Sequence, residues 1–132
     1  MDTSNPGPLL LLGGGVLIVL GTILDWGPGV SGLNTDFNGL FGIIALLIGI
    51  GLAAVGGIRA FSPSTSLPEN IAGFSLDQWG FAESLAVFLF SFSLITEDGS
   101  KIGLHLTWIG AAVAVAGTIL SMRSAPSGAS TI

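Results

Sequence analysis

The sequence contains no cysteine, so it forms no disulfide, carries no lipidated cysteine and offers no thiolate for metal or redox chemistry. Charge is nearly as scarce. Only 8% of the 132 residues are Asp, Glu, Lys or Arg, against about a quarter in a soluble domain. Three cations against eight acids leave no basic footprint, which excludes nucleic acid as a partner. A single histidine, His105, does not make a zinc site of recognisable spacing. It also leaves nucleophilic catalysis with one candidate base. Asp98 could orient that base and Ser100 or Thr107 lies near it in sequence, but no catalytic motif surrounds them. A non-enzymatic protein with no metal and no cofactor is expected. No Lys or Arg precedes the first apolar run and no small-x-small pattern follows it, so a cleaved signal peptide is not expected.

Apolar residues take the place of the missing charge. Half the chain is hydrophobic and the mean hydropathy is +0.87, which points to the lipid bilayer as the main solvent. Each crossing takes roughly 20 apolar residues, so the length accommodates one domain of about four spans. The expected fold is an all-α integral membrane protein, a four-transmembrane-helix bundle over residues 1–123, with residues 124–132 a disordered C-terminal tail.

The spans are expected at about 8–25, 39–58, 76–95 and 102–122. The first runs from Pro8 to Asp25, with Ser4 or Asn5 as cap, Pro6 or Pro8 in the first turn, and Trp26 placed where an interfacial ring would sit. The second, from Gly39 to Ile58, stops at Arg59, and the fourth, from Ile102 to Met122, stops at Arg123. The third carries Glu83, and its uncharged part from Ser84 to Ile95 is too short to cross alone. Ser75 and Gln78 have the spacing of a capping box, which starts the helix at Leu76 and lengthens it enough to span. Glu83 then lies about two turns inside, where a carboxylate costs less than the roughly 2.5–3.5 kcal/mol of a charge at mid-membrane. A re-entrant or surface helix remains the alternative for this stretch.

Glycine recurs at intervals of seven: Gly42, Gly49 and Gly56 in the second stretch, Gly103, Gly110 and Gly117 in the fourth. Seven residues are close to two helical turns, so each trio makes a narrow strip without side chains. In lipid, close approach through small residues is the main source of packing energy between helices. A shift of 61 residues superposes the two trios and lays Ala53 on Ala114, Ile48 on Ile109 and Ile58 on Ile119; the first and third stretches echo the spacing of seven more faintly, with Gly14 and Gly21 against Ser84 and Ser91. Two repeated helical hairpins about an axis along the membrane normal are one arrangement of the fold. Gly21-Thr22-Ile23-Leu24 recurs at Gly117-Thr118-Ile119-Leu120, which crosses that scheme.

Arg59 and Arg123 fall on one side of a four-span topology and Lys101 on the other, which favours both termini in the cytoplasm. The outer loops then hold Asp25, Asp36, Glu97 and Asp98. The outer loop from Gly27 to Asn38 reads as a small ordered cap, and the inner loop from Phe61 to Gln78 as one containing a short interfacial turn of helix, started by Ser66 and Glu69, with Ile71, Phe74 and Leu76 as its apolar edge.

Two ionisable side chains fall within spans, Glu83 and His105, and each is a candidate proton or cation relay. The structural alternatives are a pairing of Glu83 with Arg59 and a stacking of His105 on Trp108. The leading functional expectation is association. In that reading Gly42, Gly49, Ala53, Gly56, Gly103, Gly110, Ala114 and Gly117 provide helix-packing faces beyond the needs of one chain, and the protein is an accessory, assembly or structural subunit with other membrane subunits or its own copies as partners. The alternative is a small ion or solute transporter with Glu83 as the intramembrane carboxylate.

Overall fold

In this computed structural model, which describes residues 5–27, 29–34, 40–95 and 101–123, the first helix starts where the sequence supplies substitutes for missing backbone partners. The Asn5 carboxamide oxygen accepts the Gly7 N–H at 2.9 Å, and Pro8 sits in the first turn, where an amide would have no acceptor. Helix α1 spans Gly7–Ile23. It ends two residues before the expected limit, because Leu24 turns extended and the chain enters β1 (Asp25–Gly27), which pairs antiparallel with β2 (Val30–Ser31).

Helix α2 spans Phe41–Phe61 and so passes through Arg59 rather than stopping at it. Ala60 is buried, and the Arg59 side chain leaves the helix sideways to meet Asp77, so neither residue ends the helix. Helix α3 spans Leu76–Leu94, and its start matches the sequence reading. Ser75 Oγ accepts from the Gln78 amide at 3.1 Å, and the Gln78 side chain accepts from the Ser75 amide at 2.9 Å. Helix α4 spans Ile102–Arg123. Two of these four helices, α2 and α4, are long and apolar enough to cross a membrane; α1 is a shorter apolar helix, and α3 carries Asp77 and Glu83.

Neighbouring helices run antiparallel. α1 lies between α2 and α4, α3 packs on the other side of α4, and α2 and α3 barely touch. The interior is made of small and hydroxyl-bearing residues. Ala45, Ala111, Ala114, Ser84, Ser91, Thr22, Thr107 and Thr118 are all buried, alongside the larger Leu11, Ile18 and Val87. The five hydroxyls just named donate to carbonyls of their own helices, as Thr107 does to Gly103 at 2.8 Å and Ser91 to Val87 at 2.6 Å, whereas the buried Ser121 hydroxyl makes no hydrogen bond among the described residues. The outer faces carry large aliphatic side chains instead, among them Leu20, Ile44, Leu47, Ile50 and Leu89.

The loops depart from expectation in two places. Trp26 is not an interfacial ring: it is 1% exposed, its indole N–H donates to the Gly21 carbonyl at 2.8 Å, and Gly32 lies against the ring with no room for a Cβ. It anchors an ordered strand pair, in keeping with a capped outer loop, although residues 28 and 35–39 lie outside the described ones, as do Asp36, Glu97 and Asp98. The inner loop holds no helix at Ser66–Glu69. The Asn70 side chain accepts from the Gly73 amide, Ala72 and Gly73 adopt left-handed φ values of 52° and 91°, and Ile71 and Phe74 exchange both backbone hydrogen bonds in a tight turn. Ile71 and Phe74 are exposed at its edge and the Phe74 ring meets Trp79 edge-on. The proposed cap residue Ser4 and the tail 124–132 lie outside the described residues.

Candidate functional site

Both glycine trios turn inward, toward the same helix. A Cβ on Gly110 would lie 2.7 Å from the Gly14 carbonyl, and one on Gly117 2.9 Å from the Gly7 carbonyl. Gly103 is wedged against the carbonyls of Gly21, Leu24 and Asp25. Reciprocally, Gly14 faces the Ala114 backbone and Gly21 faces Thr107, so Gly7, Gly14 and Gly21, again at intervals of seven, form a third strip that meshes with the one on α4. On another side of α1, Gly15 abuts the backbone of Gly49 and Ala53, and Gly56 abuts Pro8 and Leu12. Gly42 is buried. Of the two trios, Gly49, Gly56, Gly103, Gly110 and Gly117 are thus in contact with α1 and its end within the chain.

The same contacts break the expected equivalence of two hairpins. Under the 61-residue shift, Gly49 and Gly56 on α2 correspond to Gly110 and Gly117 on α4, so the second pair should pack on α3 as the first packs on α1. Both pairs pack on α1 instead. The face of α3 turned to α4 is made of Gly80, Ser84, Val87 and Ser91, four buried positions at helical spacing, which accommodates the larger α4 side chains.

The seam left over, between α2 and α3, is held at its two ends. At one end Arg59 Nη1 donates to Asp77 Oδ1 at 2.5 Å, which corrects the expected pairing of Arg59 with Glu83. At the other, the Phe41 and Phe90 rings stack with centroids 3.8 Å apart and planes 20° apart. Between these clasps lies a cleft of about 370 Å³. Gly51, Leu52 and Val55 form the α2 wall, Leu76, Trp79, Gly80 and Glu83 the α3 wall, Leu11 and Thr118 the floor, and Ile71 one edge.

Polarity in this cleft comes down to one group. Thr118 Oγ1 donates to the Val115 carbonyl at 2.8 Å, and the Trp79 indole N–H donates to the Ile71 carbonyl at 2.7 Å, so both are committed to local backbone. The half-buried Glu83 carboxylate makes no hydrogen bond and no ion pair among the described residues. Arg59, on the facing helix, is paired with Asp77.

His105 is elsewhere. It lies in the first turn of α4, thirteen residues from Thr118, which is about 20 Å along the helix. Trp108 Nε1 donates to His105 Nδ1 at 3.1 Å, and the two rings meet edge-on with centroids 6.5 Å apart, so the expected neighbour is present but as a hydrogen-bonded edge contact rather than a stack. Trp108 in turn packs edge-on against Phe88 and Phe92. Asp98 and Ser100 lie outside the described residues, and the Thr107 hydroxyl is bonded to its own helix. Glu83 and His105 are thus not brought together. Among the described residues, no group of three or more His, Asp or Glu side chains could hold a metal ion.

Sequence reasoning identified Glu83 but missed the cleft, because the cleft depends on which seams close. The one available signal was Asp77, an acid in the first turn of α3, facing Arg59 across the inner loop. The chain matches no protein family, no curated protein and no solved structure with which it was compared.

Proposed function

We propose that the chain is a non-enzymatic, multi-pass integral membrane protein of four spans that moves or carries a small ion or solute by way of the cleft holding Glu83. The observation that carries this reading is the unpartnered carboxylate in an otherwise apolar cleft, since an ionisable group inside a span that faces a cavity marks a ligand pathway. Four spans are supported by the distribution of residue sizes: the interior is small and hydroxyl-bearing, and the surface is aliphatic. Only 28% of the most apolar window of α2 is buried, which in water would leave a large apolar face exposed. At 1.5 Å per residue α1 and α3 are about 26 and 28 Å long, close to the roughly 30 Å of a hydrocarbon core. With Arg59 and Arg123 at one end and Lys101 at the other, the end carrying Glu83 and both termini is cytoplasmic.

The test is flux in proteoliposomes. Glu83→Gln keeps the shape of the side chain and removes its charge, so it should reduce uptake of protons or of monovalent cations, inorganic or organic, to the level of empty liposomes. Undiminished flux in that variant would remove the mechanism.

One observation favours a second reading. Gly13 has open space above it on a face that also exposes Leu9, Val16 and Leu20, so a helix of another subunit or of a second copy could approach α1 there. The mass of the native complex in lipid discs distinguishes an accessory, assembly or structural subunit from a monomer that acts alone.

A further inference from the structure

The cleft between α2 and α3 has a chemistry of its own, which narrows what it can hold. Its volume of about 370 Å³ falls within the range of small-molecule sites, about 300–1,000 Å³. Such sites have mostly apolar walls and a few polar groups that fix the orientation of the ligand. Here the walls are Leu52, Val55, Leu76 and the Trp79 ring, and the orienting group is the Glu83 carboxylate. Gly51 adds space: a Cβ built there meets nothing within 4 Å.

Charge decides the class. Arg59 and Asp77 beside this seam pair with each other, and Glu83 is the one charged residue in the cleft lining, so the lining carries the charge of Glu83 alone when that group is ionised. A carboxylate held against apolar walls favours a cation that replaces lost hydration with direct contact, and an anion there meets repulsion without a compensating donor. A small hydrated metal ion would leave most of the volume and the apolar walls without contact. An inorganic ion also needs several oxygen ligands, and the cleft supplies one carboxylate. An ammonium with an apolar body uses both parts of the cleft, its head at Glu83 and its body between Val55 and Trp79.

We infer that the α2–α3 cleft is a binding site for a monocationic amphiphile, a small organic ammonium whose charged head pairs with Glu83 and whose apolar body lies between Leu52, Val55 and Trp79. This rests on the proposed role of the cleft in solute handling and names the substrate class for it.

The experiment uses the full chain in phosphatidylcholine discs and calorimetric titration with 4-phenylbutylammonium, with its uncharged counterpart 4-phenylbutanol and empty discs as references. Saturable binding of the ammonium at least tenfold tighter than the alcohol is expected. Glu83→Gln should bring the ammonium down to the level of the alcohol, and Gly51→Leu, which fills the cleft but leaves the carboxylate, should weaken both ligands. Thermal unfolding of each variant in the same discs checks that the fold is retained. Equal binding of the two ligands by the unaltered protein overturns the inference, as does ammonium binding indifferent to Glu83→Gln. Absence of saturable binding of either, as when a lipid chain fills the cleft, overturns it as well. If the ligands fail to bind while Glu83-dependent flux of protons or inorganic cations persists, the ligand class is wrong and the transport reading survives. If neither binding nor flux depends on Glu83, both fall.

Discussion

Between α1 and α4 the backbones touch, and between α2 and α3 they stand apart, although all four helices are drawn from nearly the same small set of residue types. The difference lies in where the smallest residues fall. The first seam has glycine on both sides at matching intervals, Gly7, Gly14 and Gly21 against Gly117, Gly110 and Gly103, so each helix supplies the groove that the other fills. The second seam has bulk on both sides, Leu52 and Val55 against Trp79 and Glu83, with Gly51 and Gly80 not set to mesh. On the proposed membrane reading there is little hydrophobic drive to close such a seam by force, so its geometry follows the steric fit of the facing residues. A tight seam builds the scaffold, and a loose one next to it leaves room for a ligand. The two clasps, Arg59 with Asp77 and Phe41 with Phe90, keep the loose seam from separating altogether.

Substitutions that disturb one seam and spare the other test this contrast. The largest effect is expected for Gly14→Leu or Gly110→Leu, where the new Cβ would lie within 3 Å of the backbone of the facing helix and neither chain can yield locally. Overpacking of a core commonly costs about 1–3 kcal/mol, and a clash with backbone should exceed that range, so loss of folded protein in mixed-micelle unfolding is the expected result. Wild-type stability in either variant would show that the backbones are not in contact.

The clasps come next. A double-mutant cycle on Phe41 and Phe90, each replaced by Leu, should give a coupling of about 0.5–1.5 kcal/mol, the usual worth of an aromatic pair beyond its area. The corresponding cycle on Arg59 and Asp77, whose side chains are 25% and 21% exposed, should give about 0.2–1 kcal/mol, since solvent screens the pair. Zero coupling in both cycles would mean that α2 and α3 are not tied together at all. The smallest effect belongs to Gly51→Leu, which should leave stability within about 0.5 kcal/mol of the unaltered protein in the same unfolding assay, because its side chain enters open space. A large loss there would place Gly51 in a closed interface and eliminate the cleft.

Local signals in the sequence carried well, and signals that depend on distant neighbours did not. The start of α3 was legible from Ser75 and Gln78 alone, since a capping box is settled within one turn. The glycine strips were legible as strips, because their spacing is a property of one helix. Their partner was not: nothing in the run from Gly42 to Gly56 says that it will face α1, or that the run from Gly103 to Gly117 will face the same helix. The supposed interfacial Trp26 failed for the same reason, since its indole is held by Gly21 and packed on Gly32 only once the strand pair forms. The helix expected at Ser66–Glu69 yielded to Asn70 and Gly73, whose turn chemistry competes with a capping-box spacing of little specificity. Of the site, Glu83 was visible as an acid in an apolar stretch, and the walls around it were not.

The closest-packed pair of helices, α1 and α4, is also the pair farthest apart in sequence. The end of α1 at Ile23 is synthesised 100 residues before the end of α4 at Arg123 (123 − 23 = 100), a delay of roughly 5–20 s at about 5–20 residues per second. Throughout that interval the groove of Gly7, Gly14 and Gly21 has no native partner, and Trp26 lacks the Lys101 amide that later donates to its carbonyl at 3.1 Å. On the proposed membrane topology, α1 would wait in the bilayer with its most adhesive side open until α4 is made.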